Sequence, residues 1–591
     1  NMEALAMKEN YYNTNKSSEA DYQIELLESK DGSIALFFYD KEQKLYLHSK
    51  YSPVKEAESL VENIDFENTR IIAVFGFGLG YHLRQIIKKI NKNTKIIILE
   101  PSRVIFENAM GLFDCTEIIN HSNTYIVVEN NDLYKEVLYK IIGYEDINSI
   151  YLLVANNYEK AFKREYNRFI ECIHEVIREH KYSMNTIEYF SSLWEKNIIS
   201  NLPALLESHD VSLLSNTCID IPIIVVSAGP SLSKNIHLLK DIMDKAIIIC
   251  VGTALRALLN IGIEPHFVVS IDGGEINFHH FQDINYDNVH LVFSPKSYHQ
   301  IIKKHKGQKF RFCIDDIILE DILNDLGIEA SLLDGEASVS TYAMAMAIKM
   351  GGNPIILIGQ DLAYTENRTH AYETIFGKDT IKNDETVIPA VDVNENKVFT
   401  SQKLLEVKRC LERIIKSAKD NKVFIDATEG GLYINGTELM TLGQAIDNFI
   451  VLQKKLNHKN IKFTFAKEII DKNRLKELIE KLVCHIKSME ALSENAGHAL
   501  KLVQQIINDE SQNENGISNK MHSLKLLNNN IELEIQKLFI LRYSLKALYF
   551  RNINSSYLER LNAVYTDLLS IMPEISKIVE DTICDLNSLK V

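Results

Sequence analysis

Residues 225–236 read "VVSAGPSLSKNI". A run of β-branched residues stops at Ser227, and small residues lead through Gly229, Pro230 and Ser231 into a helix-like pattern. Continuous apolar runs of this kind mark strands buried on both faces. A strand that ends in a tight turn and starts a helix at once is one link of a parallel α/β sheet. The link recurs downstream in "AIIICVG", "HFVVSIDGG", "VHLVFSP", "FRFCID", "NPIILIGQD" and "KVFIDATEGG". The stretch from about 216 to 450 therefore predicts a Rossmann-like, mostly parallel sheet with amphipathic helices between its strands.

Two regions of different texture flank it. Upstream, "SIALFFYDKEQKLYLHSKYSP" predicts a hairpin around the polar turn Asp40–Lys44, and residues 70–102 predict a strand, a Gly-rich turn, a helix and a second strand. The turn is "FGFGLG" (75–80), and Glu100 ends the following strand. That is close to a dinucleotide-binding pattern, in which an acidic residue reaches a ribose hydroxyl. No second motif follows it, so the expectation here is a structural turn that lets helix and strand pack closely. Residues 160–215 look helical and carry the only tryptophan, Trp194. Beyond about 455, glycine occurs only at 497 and 516 and proline only at 573. Leucine and isoleucine recur there at spacings of three and four, as in Leu524, Leu527, Ile531, Ile535 and Leu538, which predicts long helices packed as a bundle. The expected division is an N-terminal α/β domain (1–180), a central domain (181–450) and a C-terminal helical domain (451–591).

Composition bounds the function. The 591 residues carry a net charge of −15 with 25% charged and 46% apolar residues, which disfavours nucleic acid and anionic membrane as partners. No apolar run reaches the roughly 20 residues of a membrane span. The first 22 residues lack the apolar core of a signal peptide, and residues 1–6 read as a cloning remnant before a native Met7. Eight cysteines stand singly, which predicts reduced thiols and a cytoplasmic protein. No metal motif stands out.

Loops after parallel strands sit at the carboxyl edge of a sheet, where α/β proteins bind ligands. Free amides and a helix dipole at "SAGPSL" would favour a phosphate; alone, such a turn usually marks only a helix start. It is not alone. "CVGTAL" places Gly252 and Thr253 at the next strand end, "SIDGG" places Asp272 and Gly273 at the one after, and "LIGQD" ends in Gln360 and Asp361. A scaffold has no need for that chemistry at every strand end.

The stretches "LHSKYSPVKEA", "SAGPSLSKNI", "GIEPHFVVSIDGG", "SVSTYAMAMAIKMGGNPIILIGQDLAYT", with "THA" after it, and "IDATEGGLYINGT" occur in this order between about 47 and 437. Together they resemble the motility-associated factor (Maf) family of flagellin glycosyltransferases. That resemblance implies an enzyme moving a nonulosonic acid, of the pseudaminic or legionaminic type, from its CMP-linked donor onto Ser or Thr of flagellin, in support of flagellum assembly and motility. The family's central domain is similar to bacterial sialyltransferases, in which a Gly-Pro-Ser-Leu turn lies at the nucleotide and a Ser-rich helix start contacts the donor. Carried onto this chain, the implied donor residues are Ser227, Gly229, Pro230, Ser231, Gly252, Thr253, Gly273, Ser338, Ser340, Gln360 and Glu429, the last beside Gly430 and Gly431. His370 is the candidate base, with Asp272 and Asp361 as alternatives; a loop histidine is equally often plain surface, and a strand-end Asp often only caps a turn. No cofactor is implied beyond the CMP-sugar substrate, and neither nucleic acid nor membrane is implied as a partner.

Two other readings stand beside this one. The central pattern is similar to archaeal 6-hydroxymethylpterin pyrophosphokinases, but His266 follows Pro265 where they have Asp. Asp272 is followed by Gly273-Gly274 rather than by a second acid. Holding Mg²⁺ against a nucleoside triphosphate normally takes more than one carboxylate. The remaining reading is a non-enzymatic flagellin-binding factor whose C-terminal helices hold the partner.

Overall fold

The computed structural model describes residues 11–13, 22–365, 368–375, 387–418, 422–451, 453, 465, 471–508, 514–551 and 555–589. Met7, read above as the native start, lies outside them. The chain forms two compact units, Asn1–Ile187 and Glu188–Val591.

The strands of the first unit are β1 (Tyr11–Asn13), β2 (Gln23–Glu28), β3 (Ile34–Tyr39), β4 (Lys44–Tyr46), β5 (Ile71–Phe75), β6 (Lys95–Glu100), β7 (Thr124–Val128) and β8 (Ile150–Val154). Strands β2, β3 and β4 make an antiparallel meander, so the hairpin turn falls where its polar residues predict. The others form a parallel sheet in the order β1-β7-β6-β5-β8. Every residue of β5 is buried, as expected of a central strand covered on both faces.

The Gly-rich turn after β5 leads into helix α1 (Tyr81–Lys89), and its own protein fills it. Glu100, at the end of the neighbouring strand, is wholly buried. One of its oxygens accepts from the amides of Phe77 (2.7 Å) and Gly78 (3.1 Å) and from the Tyr158 hydroxyl (3.1 Å). The other accepts from the Ser102 amide at 2.9 Å, and the Leu79 amide donates to His48 Nε2 at 3.0 Å. Gly76 adopts φ +98° with the Tyr158 ring lying where a Cβ would stand, so only glycine fits there. The turn's donors are thus spent internally, and Tyr158 occupies the crevice between β5 and β8 where the connections diverge. The structural role expected of this turn has a physical basis: an internal carboxylate stands where a ligand's anion would.

The second unit is organised on a parallel sheet of nine strands among the described residues: β9 (His209–Asp210), β10 (Ile223–Val226), β11 (Ile247–Val251), β12 (Phe267–Ser270), β13 (His290–Phe293), β14 (Lys309–Arg311), β15 (Ile355–Ile358), β18 (Phe424–Asp426) and β19 (Glu438–Leu439). Their order is β19-β18-β15-β10-β11-β12-β13-β14-β9. A separate antiparallel pair, β16 (Ile388–Val391) and β17 (Lys397–Thr400), lies in the excursion before β18. The fold is the expected α/β class, a Rossmann-like sheet preceded by a smaller α/β unit and followed by helices.

Those helices are α5 (Lys472–Asn508), α6 (Glu514–Lys537), α7 (Arg542–Arg551) and α8 (Tyr557–Asn587). One hydrophobic core runs from Ile198 and the residues packed on the sheet through Leu482, Met489, Leu568 and Ile575, so these helices bury their stripes against the same mass as the strands. The long helix α2 (Lys163–Glu207), whose residues from Glu188 onward lie in this unit, joins them. Its Glu195 carboxylate accepts from the Ser544 amide (2.7 Å) and hydroxyl. Lys296, just past β13, is buried with its Nζ 3.8 Å from the Trp194 ring centroid and 4.6 Å from that of Tyr543, and it pairs with Asp316. Asn197 donates to the carbonyls of Gly273 (3.0 Å) and Lys296 (3.2 Å). No described helix is long and apolar enough to cross a membrane.

Two outcomes are expected. A chain ending at residue 453 strips the core of the second unit of one wall and should lose that unit's cooperative transition as read by Trp194 fluorescence; a sharp fluorescence melt would contradict a shared core. Burial raises Glu100 to about 7 and Glu195 to about 8 from an ordinary 4.5, so the native state holds protons that the unfolded chain has lost. Their stabilising effect is complete below about pH 4.5 and fades as pH rises through 7–8, at a cost on the order of 3 kcal/mol for Glu100 and 5 kcal/mol for Glu195. Denaturation midpoints should therefore fall between pH 5 and 8. Glu100→Gln should flatten the circular-dichroism slope of the first unit while leaving Trp194 fluorescence, a reporter of the second, unaffected; an unchanged slope in both would refute the assignment.

Candidate functional site

Strands β11 to β14 extend the sheet to one side of β10, while β15 and β18 extend it to the other. The topological switch therefore falls between β10 and β15, at the carboxyl ends of the two strands that carry "SAGPSL" and "GQD". There the turn after β10 is closed by Asp361. The Ser231 amide donates to its carboxylate at 3.1 Å and the Ser231 hydroxyl at 2.7 Å, while Thr365 Oγ1 donates at 2.9 Å. A Cβ on Gly229 would overlap Asp361 Oδ2. The turn is tight because this chain's own carboxylate must approach its backbone. Alongside, the Ser227 hydroxyl donates to Gln360 Oε1 at 2.6 Å.

Two sequence expectations change here. The helix predicted after Pro230 is four residues long, Leu232–Asn235, and passes into 3₁₀ turns, so its dipole is small. The Ser231 donors expected to face a ligand are held by Asp361. Asp361 itself, offered as an alternative base, is 2% exposed with both oxygens engaged, and burial raises its pKa. It fixes the turn.

The third wall of this corner follows β18. Glu429 stands at φ +62°, and its Oε1 accepts from Asn235 Nδ2 and the Leu442 amide, both at 3.0 Å. A Cβ on Gly431 would overlap the Asp361 backbone, and Lys234 Nζ donates to the Glu429 carbonyl at 3.2 Å. Asp426, which sequence reading did not single out, ends β18 here. It is 2% exposed, its Oδ2 has no hydrogen-bond partner, and burial, with help from the Asp361 charge, takes it to about 6. The signal that marked Asp272 and Asp361, an acid closing a parallel strand, was present in "FID".

Toward β11 and β12 the edge is open. Gly252 begins helix α3 (Gly252–Asn260), whose first turn has no side-chain cap, and Thr253 follows it half-buried. Asp272 is exposed at its surface, yet the surrounding protein desolvates the carboxyl enough to raise its pKa against the pull of Lys403. Solvent reaches the carboxyl and tempers that shift. Gly273 beside it is packed against Asn197, the Lys296 carbonyl and Trp194, with no room for a Cβ.

Helix α4 (Val339–Lys349) lies on β10, β11 and β12. Its last residues meet the amino edge, where Asn216 bonds the Lys349 carbonyl, so its first residues point to the carboxyl edge. Ser338 caps it by accepting from the Ser340 amide, and Ala337 before it stands at φ +60°. With Leu362 at φ +54° and Glu429, three non-glycine residues hold left-handed backbone along this edge, a strain that clusters at functional sites. His370 arrives on a loop strapped to the β10 turn by the Ala371 amide, 2.8 Å from the Ala228 carbonyl, and by Tyr372, whose amide donates to Ser233 at 3.1 Å. The residues singled out from the sequence thus lie along one edge, in a closed corner (Ser227, Gly229, Pro230, Ser231, Gln360, Asp361, Glu429) and an open stretch (Gly252, Thr253, Asp272, Gly273, Ser338, Ser340, His370). Among the described residues, no three His, Cys, Asp or Glu side chains assemble as a metal site.

Comparison with known proteins follows the same division. Residues 2–178 match the glycosyltransferase Maf N-terminal domain, and residues 196–367 match the 6-hydroxymethylpterin diphosphokinase MptE-like family. An uncharacterized protein of Treponema pallidum (strain Nichols) is 22% identical over 230 residues, covering 38% of this chain and 75% of that protein. The structure of the MAf glycosyltransferase from Magnetospirillum magneticum AMB-1 shares the fold at a TM-score of 0.59, with 15% identity over 96% of this chain and 93% of that one. A Maf N-terminal domain match, an MptE-like match at the centre and a fold shared along nearly the whole length with a MAf glycosyltransferase together support assignment of the chain to the Maf family.

Proposed function

We propose that this protein transfers a nonulosonic acid from a CMP-linked donor to Ser or Thr hydroxyls of flagellin. The observation that carries the reading is the open half of the sheet edge, where an uncapped helix start at Gly252–Thr253 shares one rim with His370 and the exposed Asp272. Unpaired amides of a nine-residue helix favour the donor phosphate. Ser338, at the start of α4, offers its hydroxyl to the phosphate or the sugar carboxylate, while Ser340 is buried behind it and its hydroxyl donates to Ser338 at 3.3 Å. The closed corner, with Ser231 and Asp361 holding each other, serves as the rigid wall against which the nucleotide rests.

In the reaction the anomeric carbon–oxygen bond to the phosphate breaks, its electron pair leaving with CMP. The acceptor hydroxyl oxygen forms the new bond, and its proton passes to a base. His370 fills that role better than either carboxylate, because Asp361 is enclosed while the His370 loop overlies the edge. Charge grows on the leaving phosphate as the bond stretches, so donors fixed at Gly252 and Thr253 act where stabilisation counts.

The MptE-like match favours a second reading, diphosphate transfer from ATP, and one experiment separates the two. Calorimetry should find CMP binding without Mg²⁺ and no preference for Mg-ATP, with binding abolished in Thr253→Trp; preference for Mg-ATP would favour the diphosphokinase, and binding of neither would favour a flagellin-holding scaffold. His370→Asn should lower kcat on the order of 10²–10⁴-fold with little change in donor KM. An unaffected kcat would remove His370 from the chemistry.

A further inference from the structure

A second histidine reaches this edge on the loop that leaves β13. That loop folds back over the end of β12: Ser297 Oγ donates to the Ser270 carbonyl at 2.7 Å, and the Tyr298 amide donates to the Asp272 carbonyl at 3.0 Å. His299 follows, half-buried, at the start of the short helix His299–Lys304. Behind it stands Asn197 of α2, wholly buried.

Donor and acceptor logic fixes the state of the ring. Asn197 Nδ2 faces the carbonyls of Gly273 and Lys296, at 3.0 and 3.2 Å, which only a donor satisfies, so the other end of that amide is its oxygen. This Oδ1 lies 3.2 Å from the His299 amide nitrogen and 3.1 Å from His299 Nδ1. An oxygen there accepts from both, so Nδ1 carries the ring proton and Nε2 presents a lone pair. The side-chain amide nitrogen of Gln300, a donor only, stands 3.1 Å from Nε2, in agreement. Burial first, then Lys303, lower the His299 pKa while Glu275 opposes them, which keeps the ring neutral at pH 7. His299 is thus a fixed hydrogen-bond acceptor. Its present partner, a half-buried glutamine, offers the same N–H chemistry as the exocyclic amino group of a nucleobase.

Neighbouring strand ends stand about 4.8 Å apart, so the loop of β13 lies one to two spacings, roughly 5–10 Å, from the helix start beyond β11. That is the reach of a nucleoside monophosphate from phosphate to base. A donor held by its phosphate at Gly252 and Thr253 directs its nucleoside toward β13 and its sugar toward β10, where the His370 loop is strapped. We propose that His299 determines base specificity: its Nε2 accepts a hydrogen bond from the exocyclic amino group of cytosine, in place of Gln300, and rejects uracil, whose carbonyl oxygen would set lone pair against lone pair. Asn197 is its positioning residue, holding the tautomer. This rests on the reading of the edge as a nucleotide site.

The test measures CMP and UMP by calorimetry on the full chain. The wild type should prefer CMP, and His299→Phe, which keeps a ring but no acceptor, should weaken CMP about tenfold and leave UMP unchanged or tighter. Asn197→Ala should likewise lower the CMP-to-UMP ratio, whereas a purely structural role would weaken both nucleotides in step. Gln300→Ala removes the competitor for Nε2 and should tighten CMP a few-fold without affecting UMP. That variant decides should the other two melt well below the wild type. Equal affinities in the wild type overturn the proposal while leaving the nucleotide reading intact. So do equal weakening or no change of both nucleotides in His299→Phe, and an unchanged CMP affinity in Gln300→Ala. A wild type that binds neither nucleotide defeats the nucleotide reading itself, and this inference falls with it.

Discussion

A carboxylate at the end of one parallel strand, held by the amides of the turn that follows its neighbour, is the interaction on which both halves of this protein depend. In the first unit Glu100 binds Phe77, Gly78 and Ser102; in the second Asp361 binds Ser231. Each arrangement satisfies turn donors that would otherwise be buried unpaired, a cost of about 1–3 kcal/mol apiece. Each also demands glycine where the carboxylate, or the ring beside it, comes closest, at Gly229 and Gly76. The two turns look like ligand loops because a ligand loop and an internally capped loop meet the same steric and electrostatic demands.

The two units differ in what they leave open. The first unit has its switch crevice filled by Tyr158 and Glu100, leaving no open edge. The second unit closes only one side of its edge. Past β10, helix α3 starts without a side-chain cap and Asp272 is exposed. The strained residues Ala337, Leu362 and Glu429 hold the surrounding loops in place, and Asn197 and Trp194 brace Gly273 from the helical side. Catalysis by electrostatic preorganisation asks for such rigidity, since donors that must move to meet the developing charge stabilise it less.

Much of this was legible in the sequence, and the failures have physical causes. The buried strands announced themselves by continuous β-branched runs, and the edge residues by their place just after those runs. What period and propensity cannot report is a partner distant in the chain. Ser231 and Asp361 are 130 positions apart, so the turn's occupant was invisible and a phosphate seemed to be called for. The helix after Pro230 fell short because from Ile236 the chain packs Ile236, Leu239 and Ile242 into the core in 3₁₀ geometry, which an apolar spacing of three and four does not distinguish. The C-terminal stripes were read correctly as helical faces to be buried, but a stripe does not name its partner.

That partner has a consequence for how the protein is made. The core of the second unit takes residues from Ile198 at one end and Leu586 at the other. On the ribosome the first unit, complete by residue 187, can fold as it emerges, whereas the nine-stranded sheet must wait with an apolar face uncovered until α5 to α8 have been synthesised. At 5–20 residues per second, the roughly 150 residues after β19 represent about 8–30 s of exposure. The nascent chain is therefore most in need of a chaperone late in translation, when its ligand edge is already written but cannot yet be assembled.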